Sequence, residues 1–165
     1  MTLATQEVRT FFVTSVTIDR HAIFKSDRMA DLMVRVLKDY REQGKFLLHE
    51  FVIMPDHFHL LLTPSLETPL EKAIQYVKGG FSFRAKKELQ FHASIWERSF
   101  TTHRVRDDND YGRHCEYIRR NPVKRFLVES EDLFPYSSAH PGAVVDPAPP
   151  WLSSLRGKAA RSSRG

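Results

Sequence analysis

Residues 46–54 and 57–63 form two largely apolar runs separated only by Pro55-Asp56, and that spacing constrains the fold more than any other feature of the chain. Proline and aspartate favour a turn, and so short a connection can join two strands only in antiparallel order. The apolar character of both runs predicts that both faces of the pair are covered. Inside the second run stands His57-Phe58-His59. A strand turns successive side chains to opposite faces, so the two imidazoles point one way, about 7 Å apart at the backbone, with Phe58 packed behind them. Burying two imidazoles costs free energy unless they find hydrogen-bond partners or a metal. From the tripeptide alone two readings stand: core or edge histidines satisfied by backbone and water, or a two-imidazole claw for a cation.

The flanking segments supply the rest of a sheet. Thr10 to Ile18, rich in Phe, Val and Thr, reads as a first strand. Ser26 caps a helix whose apolar residues Met29, Leu32, Met33, Val36, Leu37 and Tyr40 recur at helical spacing until Gly44. Thr68-Pro69-Leu70-Glu71 combines a capping box with proline at the first helical position and opens a second helix with Leu70, Ile74, Val77 and Phe81 inward. Gly79-Gly80 is expected to weaken or kink it. Ile95 to Val105 reads as a fourth strand, and Asp107 or Asp108 caps a third helix expected to end before Pro122. The order is βαββαβ plus one helix, an α+β class with a ferredoxin-like or RRM-like antiparallel sheet, two helices on one face and the third free to cover the other. Residues 1–140 read as one domain. Residues 141–165, rich in Pro, Ala, Ser and Arg without apolar periodicity, read as a mobile basic tail.

On the third helix Tyr111, Cys115 and Ile118 fall on one stripe, its core face. Tyr117 lies off that stripe, and Asn121 follows one turn later on the same flank. An ordinary amphipathic helix with a surface tyrosine, and with Asn121 shaping the turn before Pro122, fits these spacings too. Composition narrows the partners. A formal charge of +5 and a pI near 9.5 favour an anionic partner such as nucleic acid. Lys78 and Arg84 on the second helix, Arg98 and Arg104 around the fourth strand, and Arg119, Arg120 and Lys124 late in the third helix are candidate phosphate contacts. One cysteine, Cys115, leaves no disulfide framework or cysteine-built zinc site. With no apolar run of about 18 residues, the expectation is a cytoplasmic protein without membrane contact.

Four pieces in order carry a resemblance: His57-Phe58-His59 after Met54-Pro55-Asp56; Trp96-Glu97-Arg98; His103-Arg104-Val105-Arg106-Asp107; and the run from Glu116 through Tyr117, Asn121 and Pro122 to Lys124. Together they resemble the single-tyrosine HUH transposases, in particular the REP-associated branch, over roughly residues 8 to 140. The resemblance implies a DNA-strand transferase in which Tyr117 is the nucleophile and His57, His59 and Asn121 hold a divalent cation, Mg²⁺ or Mn²⁺. The implied substrate is a single-stranded, REP-like DNA hairpin, and the protein a monomer or homodimer. The rival from another class is a non-catalytic single-stranded nucleic-acid binding module, because such a sheet with exposed aromatics is also a binding platform. A histidine-nucleophile phosphoesterase fits worse, since no third alternating histidine follows His59.

Overall fold

The computed structural model describes residues 8–152. Four strands, β1 (Phe11–Val16), β2 (Phe46–Met54), β3 (His57–Pro64) and β4 (Thr101–Arg104), form one sheet in the order β2-β3-β1-β4, with every neighbouring pair antiparallel. Three α-helices, α1 (Asp27–Glu42), α2 (Leu70–Leu89) and α3 (Asp108–Lys124), complete the expected α+β order.

The tight turn at Pro55-Asp56 sets Met54 opposite His57, and the period-two alternation of β3 then sorts its side chains. Phe58, Leu60 and Leu62 join Val13 beneath α1 and α2, in a core with Leu32, Met33, Leu37, Ile74 and Phe81. Leu61, Val52 and Met54 face the other way and meet Tyr111, Ile118 and Phe134. Between Leu48 and Glu50 the pairing of β2 with β3 shifts register. Such a bulge sets two residues against one. Leu48 and Phe51 therefore both reach the core under α1, while His49 packs its ring against Tyr111 of α3 and Glu50 pairs with Arg119 of α3.

The helices show where local rules hold and where packing overrides them. Ser26 Oγ accepts the Met29 N–H and Asp107 accepts the Asp110 N–H, both as N-caps. Helix α2 starts with Pro69 as its N-cap and no side-chain cap, so the expected capping box does not form. It also passes through Gly79-Gly80 without interruption. At Gly80 a β-carbon would collide with the Tyr40 ring, so this glycine serves the close approach of α1 to α2. Helix α3 likewise continues past the expected stop and carries Pro122 inside its last turn, where Asn121 and Pro122 are both buried.

Two further expectations are corrected. The fourth strand is only Thr101–Arg104, an exposed edge; Ile95 and Trp96, whose apolar character suggested strand, instead plug the core as loop residues against Phe24, Phe58 and Phe81. Residues 141–152, expected to begin a mobile tail, are docked. Asp146 bonds the Arg41 guanidinium through both carboxylate oxygens at 2.9 Å and accepts the Leu48 N–H, and Trp151 Nε1 donates to Thr10 Oγ1. The remainder of that expected tail, 153–165, lies outside the described residues. Among the described residues no helix is long and apolar enough to cross a membrane.

Candidate active site

The site lies on the face of the sheet that α3 covers. Pairing of β1 with β3 sets Thr14 opposite His59 and Val16 opposite His57, which fixes how the imidazoles are held. His57 Nδ1 lies 2.6 Å from Asp56 Oδ1; the carboxylate can only accept, so Nδ1 carries the proton and Nε2 keeps its lone pair. His59 Nδ1 lies 2.8 Å from Thr14 Oγ1. Its Nε2 is buried and has no hydrogen-bond partner. The two rings stand 4.8 Å apart, nearly perpendicular.

Helix α3 delivers the other two residues from above. The Tyr117 ring meets His59 edge to face at 5.3 Å and the same edge-on geometry at 5.8 Å with Phe12, which itself stacks on His59 at 5.2 Å. Tyr117 is 44% exposed, so one side of the phenol packs on His59 and Phe12 and the other faces solvent. Asn121, one turn on, is buried, and its Oδ1 has no partner. Buried polar atoms without partners are few in a folded protein and cost about 1–3 kcal/mol each. Of the three among the described residues, two are His59 Nε2 and Asn121 Oδ1; the third, Ser15 Oγ, has its Cα opposite Phe58. Imidazole nitrogen and amide oxygen are both neutral groups able to donate a lone pair to a cation.

Electrostatics keep these donors available. Burial, with the neighbouring charges of His57 and Arg125 adding to it, lowers the pKa of His59 to about 3. Burial also lowers that of His57, against the pull of Asp56. Both imidazoles are therefore neutral at ordinary pH, the state a metal requires. Arg20, 3.5 Å from Asp56, and Arg125 place positive charge beside the pair. Neither arginine was singled out from sequence: Arg20 sits in a loop after β1, where Asp19 and Arg20 both take left-handed backbone angles.

Of the expected phosphate contacts, Arg98, Arg104, Arg120 and Lys124 are exposed, Arg120 beside Glu116 at 2.9 Å. Lys78 donates to the Glu97 carbonyl at 2.8 Å. Arg84 is held between Asp39 and Glu88, and Arg119 is bound to buried Glu50 at 2.6 Å; both serve intramolecular pairs. Sequence reasoning also missed a cluster at the start of α3. His103 Nε2 lies 2.8 Å and His114 Nδ1 3.3 Å from the Asp110 carboxylate, and ligand atoms of the three residues lie within 4.8 Å of one another. This group could hold a metal ion. The signal available in the sequence was the i, i+4 pairing of Asp110 with His114, which lies three residues before Tyr117.

A ferredoxin-like sheet carrying paired histidines under a tyrosine helix defines a class, and the family described as IS200-like transposases matches residues 8–121. A Haemophilus influenzae protein named as a candidate REP-associated tyrosine transposase is 34% identical over 140 residues, covering 79% of each chain. The Escherichia coli K12 protein of that name is 26% identical over 132 residues, covering 79% of this chain and 76% of its own. Our chain belongs to the REP-associated tyrosine transposases within the IS200-like family. The fold agrees. A solved REP-associated tyrosine transposase bound to a REP hairpin superposes with a TM-score of 0.64 at 23% identity, over 84% of this chain and 82% of the other. A solved structure described as a candidate transposase from Deinococcus radiodurans gives 0.52 at 21% identity, over 72% and 95%.

Proposed function

We propose that this transposase is a metal-dependent DNA-strand transferase that nicks and rejoins single-stranded hairpin DNA of the REP type through a 5′-phosphotyrosine on Tyr117. The observation that carries the reading is the phenol packed on His59 beside two partnerless buried donors, His59 Nε2 and Asn121 Oδ1. His57, His59 and Asn121 would hold the ion, Mg²⁺ or Mn²⁺, with imidazole nitrogen favouring the softer Mn²⁺. When bound there, a divalent cation neutralises charge on a non-bridging phosphate oxygen. Asp56 and Thr14 orient the two imidazoles from behind, the supporting role that sets ligand tautomer.

Tyr117 is exposed enough to meet a phosphodiester and close enough to His59 to reach one held there. Attack by its oxygen on phosphorus releases the 3′-oxygen and leaves a tyrosyl ester. That ester retains the energy of the broken bond, so rejoining needs no ATP. Arg20 and Arg125 add to the attraction for the strand at the site, while Lys78, Arg98, Arg104, Arg120 and Lys124 extend it outward. Arg84 and Arg119 contribute only on exchanging their carboxylate partners for phosphate. The hairpin in the solved relative supports the substrate class, and a cytoplasmic setting suits it.

Labelled single-stranded hairpin DNA, incubated with the protein and Mn²⁺ and run on a denaturing gel, tests the proposal. A covalent protein-DNA band that depends on metal is expected, and it should vanish in His57→Ala and His59→Ala while hairpin binding persists. Binding without any adduct across Mg²⁺ and Mn²⁺ would leave a single-strand binding module instead.

A further inference from the structure

The strand-transfer reading leaves one atom unaccounted for. The Tyr117 hydroxyl carries a proton, and that proton must go somewhere as the oxygen attacks. Four residues of α3 answer by their spacing. Asp110, His114, Tyr117 and Asn121 stand at i, i+4, i+7 and i+11, which is one stripe of a helix. The stripe runs from an acid, through an imidazole, to the phenol and the carboxamide.

The hydrogen bonds fix the imidazole's tautomer. His114 Nδ1 lies 2.7 Å from the Asp110 backbone oxygen and 3.3 Å from Asp110 Oδ1. Both oxygens only accept, so Nδ1 carries the proton and Nε2 carries the lone pair of a neutral ring. The ring is fixed on two sides, by Phe12 at 4.6 Å and by His103, stacked at 4.9 Å. Tyr117 packs against that same Phe12 ring one turn further along. Asp110 is itself held, with Oδ2 accepting from His103 Nε2 at 2.8 Å and from the Arg106 N–H at 3.0 Å. Of the other imidazoles on this face, His59 touches the phenol but its one unpartnered nitrogen is assigned to the cation, and His57, beside His59, has its Nδ1 committed to Asp56.

We infer that His114, oriented by Asp110, is the general base that accepts the Tyr117 proton, an assignment that rests on the strand-transfer reading of the site. The phenolic O–H bond breaks as its proton passes to His114 Nε2. The phenolate oxygen forms the new bond to phosphorus, the bond from phosphorus to the 3′-oxygen breaks, and that oxygen takes a proton from water. On rejoining, the steps reverse, and the imidazolium returns its proton to the departing phenolate. The arrangement is the nucleophile, base and orienting carboxylate of acyl-transfer enzymes, laid along one helix.

The test is single-turnover adduct formation on hairpin DNA in saturating Mn²⁺ for wild type, His114→Ala and His114→Gln. Both variants are expected to bind the hairpin as wild type does and to form adduct more slowly by about 10²–10⁴-fold. Glutamine keeps a donor for the Asp110 carbonyl but has no basic nitrogen, so its slowness cannot come from a lost helix contact. Added imidazole should restore His114→Ala and not His59→Ala. Adduct formation at the wild-type rate in either variant overturns the assignment, as does a slow His114→Ala that added imidazole does not restore. A wild-type protein that forms no adduct, or a Tyr117→Phe variant that still forms one, instead sinks the strand-transfer reading, and the base assignment with it.

Discussion

The two faces of the sheet are built from the same strands to opposite ends. Beneath α1 and α2 the packing is almost wholly apolar, with Phe58, Leu60, Leu62, Ile74, Val77 and Phe81 all essentially without solvent contact. Beneath α3 the same strands present His49, His57 and His59, and Glu50 bound to Arg119, all four buried. Polar groups so placed cost free energy to desolvate, and two atoms there lack any partner. A protein stable enough to tolerate that cost must draw its stability elsewhere. The difference between the faces therefore assigns cohesion to one and chemistry to the other, with β3 serving both: Phe58 points down into the core while His57 and His59 on either side point up.

The sharpest way to break this division is to change one residue on each face. Tyr117→Phe removes a single oxygen and leaves the ring packing on Phe12 and His59 in place. We expect covalent adduct and cleavage to be abolished, with thermal midpoint and hairpin affinity unchanged. Melting curves beside the gel assay check both halves. An adduct in this variant would move the nucleophile elsewhere. Phe58→Ala does the reverse on the same sheet. Emptying a fully buried aromatic site next to Phe24's neighbour Trp96 should lower stability by about 3–5 kcal/mol, read from denaturant unfolding. If chemistry resides only on the other face, any folded fraction should retain its specific activity.

Much of this division was legible before any coordinates, for reasons of period. The hairpin, the paired histidines and the Tyr111, Cys115, Ile118 stripe follow from alternation in strands and from the 100° step of a helix, and all appear as expected. What failed lacked a period. Ile95 and Trp96 are apolar but reach the core from a loop, and read as strand for that reason. Residues 141–152 are fixed by separate point contacts, Asp146 to Arg41 and Trp151 to Thr10, with no repeat to reveal them. For Arg84 and Arg119 a sequence shows the charge without the carboxylates that the fold sets beside it. The Asp110, His103 and His114 cluster needed β4 and α3 brought together, although half of it was visible at helical spacing.

Acid should separate the faces by titration. Burial lowers the pKa of His49, His57 and His59 below the ordinary 6.5, that of His59 to about 3. Below pH 6.5 the unfolded chain binds protons at these sites that the folded chain refuses, so stability is intact above 6.5 and is lost as pH falls towards the folded values. The loss approaches ~1.4 kcal/mol per pH unit for each group inside its window. Thermal melts of chelator-treated protein between pH 7 and 4 should show it, and added Mn²⁺ should raise the midpoint most at the high end, where the imidazoles are neutral. A midpoint flat across that range would mean that the α3 face is not sealed from water.

The smallest expected effect concerns neither face directly but the segment that borders both. Asp146 receives the Arg41 guanidinium and the Leu48 N–H, and its own N–H donates to the Leu48 carbonyl. Burial pushes its pKa up, but the Arg41 hydrogen bond and the Leu48 N–H outweigh that and keep the carboxylate ionised. The group lies at the edge of β2, just before the bulge that carries His49 and Glu50, and the adjoining Pro147 carbonyl is bonded to His49 Nδ1 at 2.8 Å. Asp146→Ala strands a guanidinium and a strand N–H but empties no cavity in the core. We expect a loss of about 1.5–3 kcal/mol, the range for hydrogen bonds to a charged group. Proteolysis should become faster within residues 141–152, and adduct formation should stay unchanged, because His57 and Tyr117 are held by β1, β3 and α3. A fall in adduct rate larger than the fall in folded fraction would show that this segment supports the site through His49, and would redraw the boundary between the face that holds the protein together and the face that reacts.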